Sequence, residues 1–171
     1  MPLISHDCIY KDLLTPFHHI HTFDNNNSIY LGSQSAVGGF PDKWNYTDKC
    51  TFGAVLEQLK KYNIKYIVCC AELYDLFDEL EYLHIPMESN DNFNIKPSVL
   101  KAHKFIDDKI ENGSILVHCN AGCHRSATIV TSYLMKKLNW DVDTAHNYIK
   151  SKRSCVDISN FKIQLEKLEL K

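Results

Sequence analysis

Apolar positions along this chain recur with two rhythms. Short apolar runs bounded by turn residues alternate with longer segments whose apolar residues return every three or four positions, the patterns of buried strands and one-faced helices. Strands are predicted at Ser28–Ser33, Ile64–Cys70, Glu81–Ile85 (stopped by Pro86) and Ile115–His118. A helix capped by Thr51 and running to Lys61 is predicted to turn Phe52, Val55, Leu56 and Leu59 to one side. Another starts around Pro97, runs to about Glu111 with Val99, Leu100, His103, Ile106 and Ile110 inward, and ends at Asn112-Gly113. Helices follow over Arg125–Leu138 and Val142–Lys152, and from Asn160 to the C-terminus, the last offering Phe161, Ile163, Leu165 and Leu168 for packing. Two stretches lack either rhythm. Residues 1–27 carry scattered apolar positions (Ile9, Leu13, Leu14, Phe17), a possible short helix near 7–15, a His18-His19-Ile20-His21 run read as solvated surface and the polar loop Asp24–Asn27. Residues 36–50 combine turn composition with Trp44 and Tyr46 and read as an ordered surface excursion. The alternation of strands and helices predicts an α/β fold: one three-layer α-β-α domain around a central mixed, mostly parallel sheet. It divides the chain into an N-terminal extension, 1–27, and a domain, 28–171.

Composition narrows the class. The 171 residues can bury a sizeable core, and 44% apolar with 23% charged residues is ordinary for a globular protein. With a net charge of −2, nothing argues for a nucleic-acid or membrane surface. No apolar run approaches the ~20 residues of a membrane span, and the first residues lack the basic start and apolar core of an export signal. The expectation is a cytoplasmic or nuclear protein that is not secreted. Seven cysteines, an odd number without framework spacing, suit a reducing compartment. No Cys/His cluster has metal-ligand spacing, so no metal and no cofactor are expected.

Candidate chemistry concentrates where the Ile115–His118 strand meets the Arg125–Leu138 helix. Between them lies Cys119-Asn120-Ala121-Gly122-Cys123-His124-Arg125-Ser126. A loop feeding a helix N-terminus aims backbone N–H groups and the positive end of the helix dipole at one spot, which suits an anion. A Cys at the base of that site favours the thiolate, with a pKa in the range ~3.5–7.5 against ~8.5 for a free thiol. Gly122 allows a positive φ and lets the backbone curl. The planar Arg125 fork can grip two oxygens of a phosphoryl group, and Ser126 can donate to the sulfur.

His118-Cys119-x-x-Gly122-x-x-Arg125-Ser126 resembles the signature of the cysteine-based protein tyrosine phosphatases, and its surroundings are most similar to the dual-specificity family. Tyr30-Leu31-Gly32-Ser33 resembles that family's entry strand. Arg153 followed by Phe161 and Gln164-Leu165 resembles its closing pattern, with Ser154 where Pro is usual and the spacing one residue short. The resemblance covers about 28–168, with 36–50 as an insertion. It implies a dual-specificity protein phosphatase acting on phosphorylated proteins, on phosphotyrosine and phosphoserine/phosphothreonine alike, through a phosphocysteine intermediate. Cys119 is then the nucleophile, Arg125 and the backbone of Asn120, Ala121, Gly122, Cys123 and His124 bind the phosphate, and Ser126 assists sulfur departure. The family takes its general acid from an Asp shortly after an Ile-Pro pair. Here Ile85-Pro86-Met87-Glu88 matches the lead-in, but Ser89 holds the Asp position. Asp91 is the expected acid, with Glu88 and an acid-free site as alternatives. Cys69-Cys70-Ala71-Glu72 resembles the phosphoinositide phosphatase branch, where such a Cys traps the oxidised nucleophile. Cys70 or Cys123 is the candidate resolving thiol of a redox-sensitive Cys119. Phosphoinositide or RNA 5′-phosphate hydrolysis and a phosphate-binding pseudophosphatase are the competing readings.

Overall fold

A computed structural model describes residues 17–37, 52–73 and 77–169. The elements are β1 (Phe17–Thr22), β2 (Ser28–Gly32), a 3₁₀ turn (Gln34–Val37), α1 (Phe52–Lys61), β3 (Ile64–Cys69), β4 (Glu81–His84), α2 (Lys96–Lys109), β5 (Ser114–His118), α3 (Arg125–Leu138), α4 (Val142–Lys152) and α5 (Lys162–Glu166). The sheet order is β1-β2-β5-β3-β4, parallel except for β1, which pairs antiparallel with β2 at the edge. This is the mixed, mostly parallel three-layer architecture that the sequence pattern implies.

Strand periodicity divides the core between the two faces. Ile29, Leu31, Ile115 and Val117 point to one side, where α2, α3, α4 and α5 supply Val99, Ile106, Ile129, Val130, Tyr133, Ile149 and Leu165. Tyr30, Leu116 and Ile67 point to the other, against Val55 and Leu59 of α1, Ala36 and Val37 of the 3₁₀ turn, and Phe77. Strands β2 and β5 are buried along their whole length, which is why they read as continuous apolar runs. Registers bring Gly32 and Cys69 level with His118 on either side. Three parallel strands therefore end together at the point where the chain passes into Cys119.

Most predicted elements stand where the pattern put them, including Arg125–Leu138 and Val142–Lys152 to the residue. Pro97 lies in the first turn of α2, and Asp141 caps α4 by accepting from the Thr144 N–H at 2.7 Å. Four expectations need correction. Leu100 is 52% exposed and Ile163 65% exposed, because the buried stripes of α2 and α5 run through Val99, Ala102, His103 and Ile106 and through Phe161 and Leu165. Residues 17–22, assigned to an extension, form the edge strand of the sheet. A register shift between His19 and His21 interrupts the alternation that would have marked it. The final helix is shorter than expected, spanning Lys162–Glu166. The predicted helix near 7–15, the Thr51 cap and residues 38–50 lie outside the described residues. Among those described, no helix is long and apolar enough to cross a membrane.

Candidate active site

Residues 119–126 form a cup at the C-terminal edge of β5, and its shape follows from where its carbonyls go. Gln34 N–H donates to the Asn120 carbonyl at 3.0 Å, and Asp157 N–H to the Cys123 carbonyl at 2.9 Å. Arg153 donates through Nη2 to the Ala121 carbonyl at 3.0 Å and through Nε to the Gly122 carbonyl at 2.9 Å. Thr128 engages the His124 carbonyl with both its N–H and its hydroxyl, each at 2.9 Å. In a trans peptide the C=O and the following N–H point in opposite directions, and no described peptide bond is cis. Five carbonyls held outward therefore turn the N–H groups of Ala121, Gly122, Cys123, His124 and Arg125 inward. The N-terminus of α3 closes the ring, adding the positive end of its dipole.

Gly122 makes the curl possible. Its φ is 70°, and a Cβ there would overlap the Gly32 carbonyl at the end of β2. No other residue fits both the conformation and the space.

Cys119 sits at the floor of this cup, buried, accepting from the Ser126 hydroxyl at 3.2 Å. Burial pushes its thiol up. The Ser126 hydroxyl and N–H, the Arg125 guanidinium and the Gly122 N–H outweigh it and hold the thiol below its ordinary value. The preceding His118 is driven down to about 4, chiefly by burial, so it is neutral beside the thiolate. Arg125 reaches across the mouth and donates to the Met87 carbonyl at 3.2 Å, joining the cup to the 86–95 loop. The arrangement can hold a tetrahedral oxyanion on backbone N–H groups and one guanidinium, with a thiolate beneath it.

The expected acid loop lies at this mouth. Met87 is buried, whereas Glu88, Ser89, Asn90 and Asp91 are exposed. Its backbone is braced from α5 and the turn before it. Asn160 donates to the Ser89 carbonyl at 3.1 Å; Gln164 donates to the carbonyls of Asp91 (3.3 Å) and Phe93 (2.9 Å) and accepts from Ile95 N–H at 3.1 Å. The Glu88 carboxylate accepts from Asn90 at 2.5 Å. Cys119, Arg125 and Ser126 are thus brought together. Asp91 is placed on a surface turn with only its carbonyl engaged by Gln164.

Two residues that the sequence reading undervalued meet the loop from its outer side. Arg153 is wholly buried and also donates through Nη1 to His18 Nδ1 at 2.8 Å, which ties β1 to the cup. His18 is therefore an internal contact rather than solvated surface. His21, likewise, meets the Tyr148 hydroxyl at 3.3 Å. Cys155 forms a disulfide with Cys123. The cysteine count did not point to that pairing, and Cys123 is not a free thiol while the bond stands. Cys69 and Cys70 are reduced and buried. Burial, and then the charge of Cys119, push the Cys70 thiol well up. The only sequence signal for Arg153 was its place in the closing pattern; for Cys155 there was none.

Residues 47–171 match the family profile described as "Dual specificity phosphatase, catalytic domain". A probable dual specificity protein phosphatase of Dictyostelium discoideum is 44% identical over 165 residues, covering 85% of this chain and 65% of that protein. Dual specificity protein phosphatase 6 of Homo sapiens is 36% identical over 116 residues, 64% of this chain and 30% of that one. The chain thus spans less than two thirds of the length of these relatives. Among solved structures, human tyrosine phosphatase-like serine/threonine/tyrosine-interacting protein superposes with a TM-score of 0.69 at 26% identity, over 81% of this chain and 89% of that one. DUSP15 gives 0.69 at 25%, over 87% and 85%. Matched across most of its length and carrying the signature on the expected strand, loop and helix, the chain belongs to the dual specificity phosphatase family.

Proposed function

We propose that the chain is a cysteine-dependent protein phosphatase that hydrolyses phosphotyrosine and phosphoserine/phosphothreonine in phosphorylated proteins. The observation that carries this reading is the Cys119 thiol, held low beneath five inward N–H groups and the Arg125 fork. The Cys119 sulfur attacks phosphorus, the S–P bond forms, and the P–O bond to the leaving group breaks. Arg125 and the loop N–H groups carry the equatorial oxygens through the transition state. A carboxylic acid, assigned to Asp91, protonates the departing oxygen, then takes a proton from the water that hydrolyses the phosphocysteine. Ser126 donates to the sulfur as it leaves with the S–P electron pair. Cys119 is also read as redox-sensitive: peroxide oxidises its thiolate to the sulfenic acid and is itself reduced to hydroxide, and the sulfenic acid condenses with the Cys70 thiol of the same core, forming S–S and releasing water. A reducing compartment, cytoplasm or nucleus, suits that chemistry.

Assaying the purified protein on a phosphotyrosine peptide, a phosphothreonine peptide, a phosphoinositide and a triphosphorylated RNA tests the substrate class. Turnover of both peptides is expected. One observation favours a second reading: Ser89 at the acid position, with the nearby carboxylates exposed. Hydrolysis of only the phosphoinositide or the RNA, or phosphate binding without turnover, would replace the first.

A further inference from the structure

Cys123 and Cys155 are joined across 32 positions of sequence with Cα atoms 5.4 Å apart, a separation that lets two cysteines pair without backbone movement. One belongs to the signature loop and the other to the turn between α4 and α5, and neither is the thiol that the proposed chemistry uses. We propose that this pair is a second redox site, distinct from the nucleophile: a reversible staple that fastens the outer side of the loop to the 153–157 turn while leaving Cys119 a free thiolate. The effect on activity rests on the phosphatase reading above; the existence of the site does not.

The backbone explains why the bond is compatible with an intact cup. The carbonyls of Gly122 and Cys123 both face the 153–157 turn, the first held by Arg153 and the second by Asp157 N–H. The N–H groups of Cys123 and His124 consequently face the anion side. Cys123 presents its sulfur to the turn, away from the donors that line the cup. Arg153 and Asp157 flank Cys155 at equal distances along the chain, so hydrogen bonds hold Cys155 opposite Cys123 whether or not the sulfurs are joined. When the pair is reduced, the Cys123 thiol also has an acceptor close by, the Ala121 carbonyl at 3.4 Å. Both redox states therefore keep the same backbone, and the nucleophile is untouched: Cys119 lies inside the cup on Ser126 and is not part of the bond.

With a small-molecule disulfide as oxidant, the exchange balances simply. One protein thiolate attacks a sulfur of the reagent and expels a thiolate. The second protein thiolate attacks the protein-side sulfur of the mixed disulfide and expels the other. One S–S bond forms in the protein, one breaks in the reagent, and two reagent thiols leave with the two protons. Because the Cys123 sulfur faces the turn, a Cys119 sulfenic acid is left with Cys70 as its candidate partner.

The experiment equilibrates purified protein in glutathione buffers of graded poise and maps cysteines by differential alkylation and peptide mass spectrometry, with hydrolysis of an aryl phosphate and melting temperature measured on the same samples. Wild type is expected to pair Cys123 with Cys155 while Cys119 stays alkylatable and turnover persists. Its melting temperature should rise by roughly 4–10 °C. Cys155→Ser should match reduced wild type in turnover and show no such rise, and its peroxide-treated form should leave Cys123 alkylatable rather than joined to Cys119. Cys155→Ala serves as the second variant should the serine destabilise the fold. Wild-type Cys123 and Cys155 remaining separately alkylatable, or each carrying glutathione, overturns the site. Loss of Cys119 alkylation in step with pairing overturns its separateness. Both are read by mass, so they are distinguishable from failure of the phosphatase reading, which would leave pairing intact and turnover absent.

Discussion

Two loops meet at the mouth of the site, and they are held in opposite ways. In the 119–125 loop the backbone does the work: each carbonyl from Asn120 to His124 is held from outside, so the N–H groups have one direction left. In the 86–95 loop the backbone is also braced, by Gln164 and Asn160, but the side chains of Glu88, Ser89 and Asp91 stand in solvent. A function carried by main-chain groups is settled by topology and bracing. A function carried by an exposed side chain depends on which residue the sequence supplies and where it moves when substrate arrives.

The sharpest test of that contrast removes the sulfur. Cys119→Ser is expected to lower turnover to below about one part in a thousand while phosphate binding persists, since the ring of N–H groups and Arg125 remain. Loss of binding as well, measured by calorimetry with inorganic phosphate, would mean that the cup does not stand without its thiolate.

Next in size is a change on the open loop. Asp91→Asn should cost ~10²-fold on a phosphotyrosine peptide and far less on an aryl phosphate with a good leaving group. Glu88→Gln run beside it separates the two carboxylates. Equal losses on both substrates for either variant would count against an acid in this loop.

Arg153→Met tests the closed loop from behind. It removes donors to two carbonyls, and a loss of about 10- to 100-fold in kcat/KM is expected, comparable to one charge-assisted hydrogen bond. The acid limb of the profile should also move to higher pH, because the Gly122 N–H that supports the thiolate is no longer fixed. Retention of the wild-type limb would reduce Arg153 to a packing role.

The last test reads stability and leaves activity aside. His103, buried against Ser132, and His118 are both driven down to about 4, each chiefly by burial. The unfolded chain protonates them near pH 6.5 and the folded one does not, so stability is full above that value and falls as pH drops toward 4. At about 1.4 kcal/mol per unit, each histidine should cost roughly 3 kcal/mol by pH 4. Denaturant melts of wild type and His103→Gln across that range check it; identical slopes for both would mean His103 titrates normally in the fold.

Much of the molecule was legible in the chain. Periodicity placed α3 and α4 because their buried stripes recur at helical spacing, and β2, β3 and β5 because buried parallel strands are continuous apolar runs. The residue types from Cys119 to Ser126 announced an anion site, since a Cys, a Gly and an Arg-Ser at that spacing between strand and helix serve little else. Edge strand β1 escaped notice because a register shift broke its alternation and its histidines looked solvated. Arg153, Cys155, Gln34 and Asp157 reach the loop only through tertiary contacts: Cys155 lies 32 positions from Cys123, and His18 meets Arg153 across 135. Local patterning is written in neighbours along the chain, so sequence alone determined the elements and the set of residues gathered at the end of β5. Which carbonyls are braced, which cysteines pair and which side chains stay in solvent depend on residues brought close by packing, and only the tertiary structure decided those.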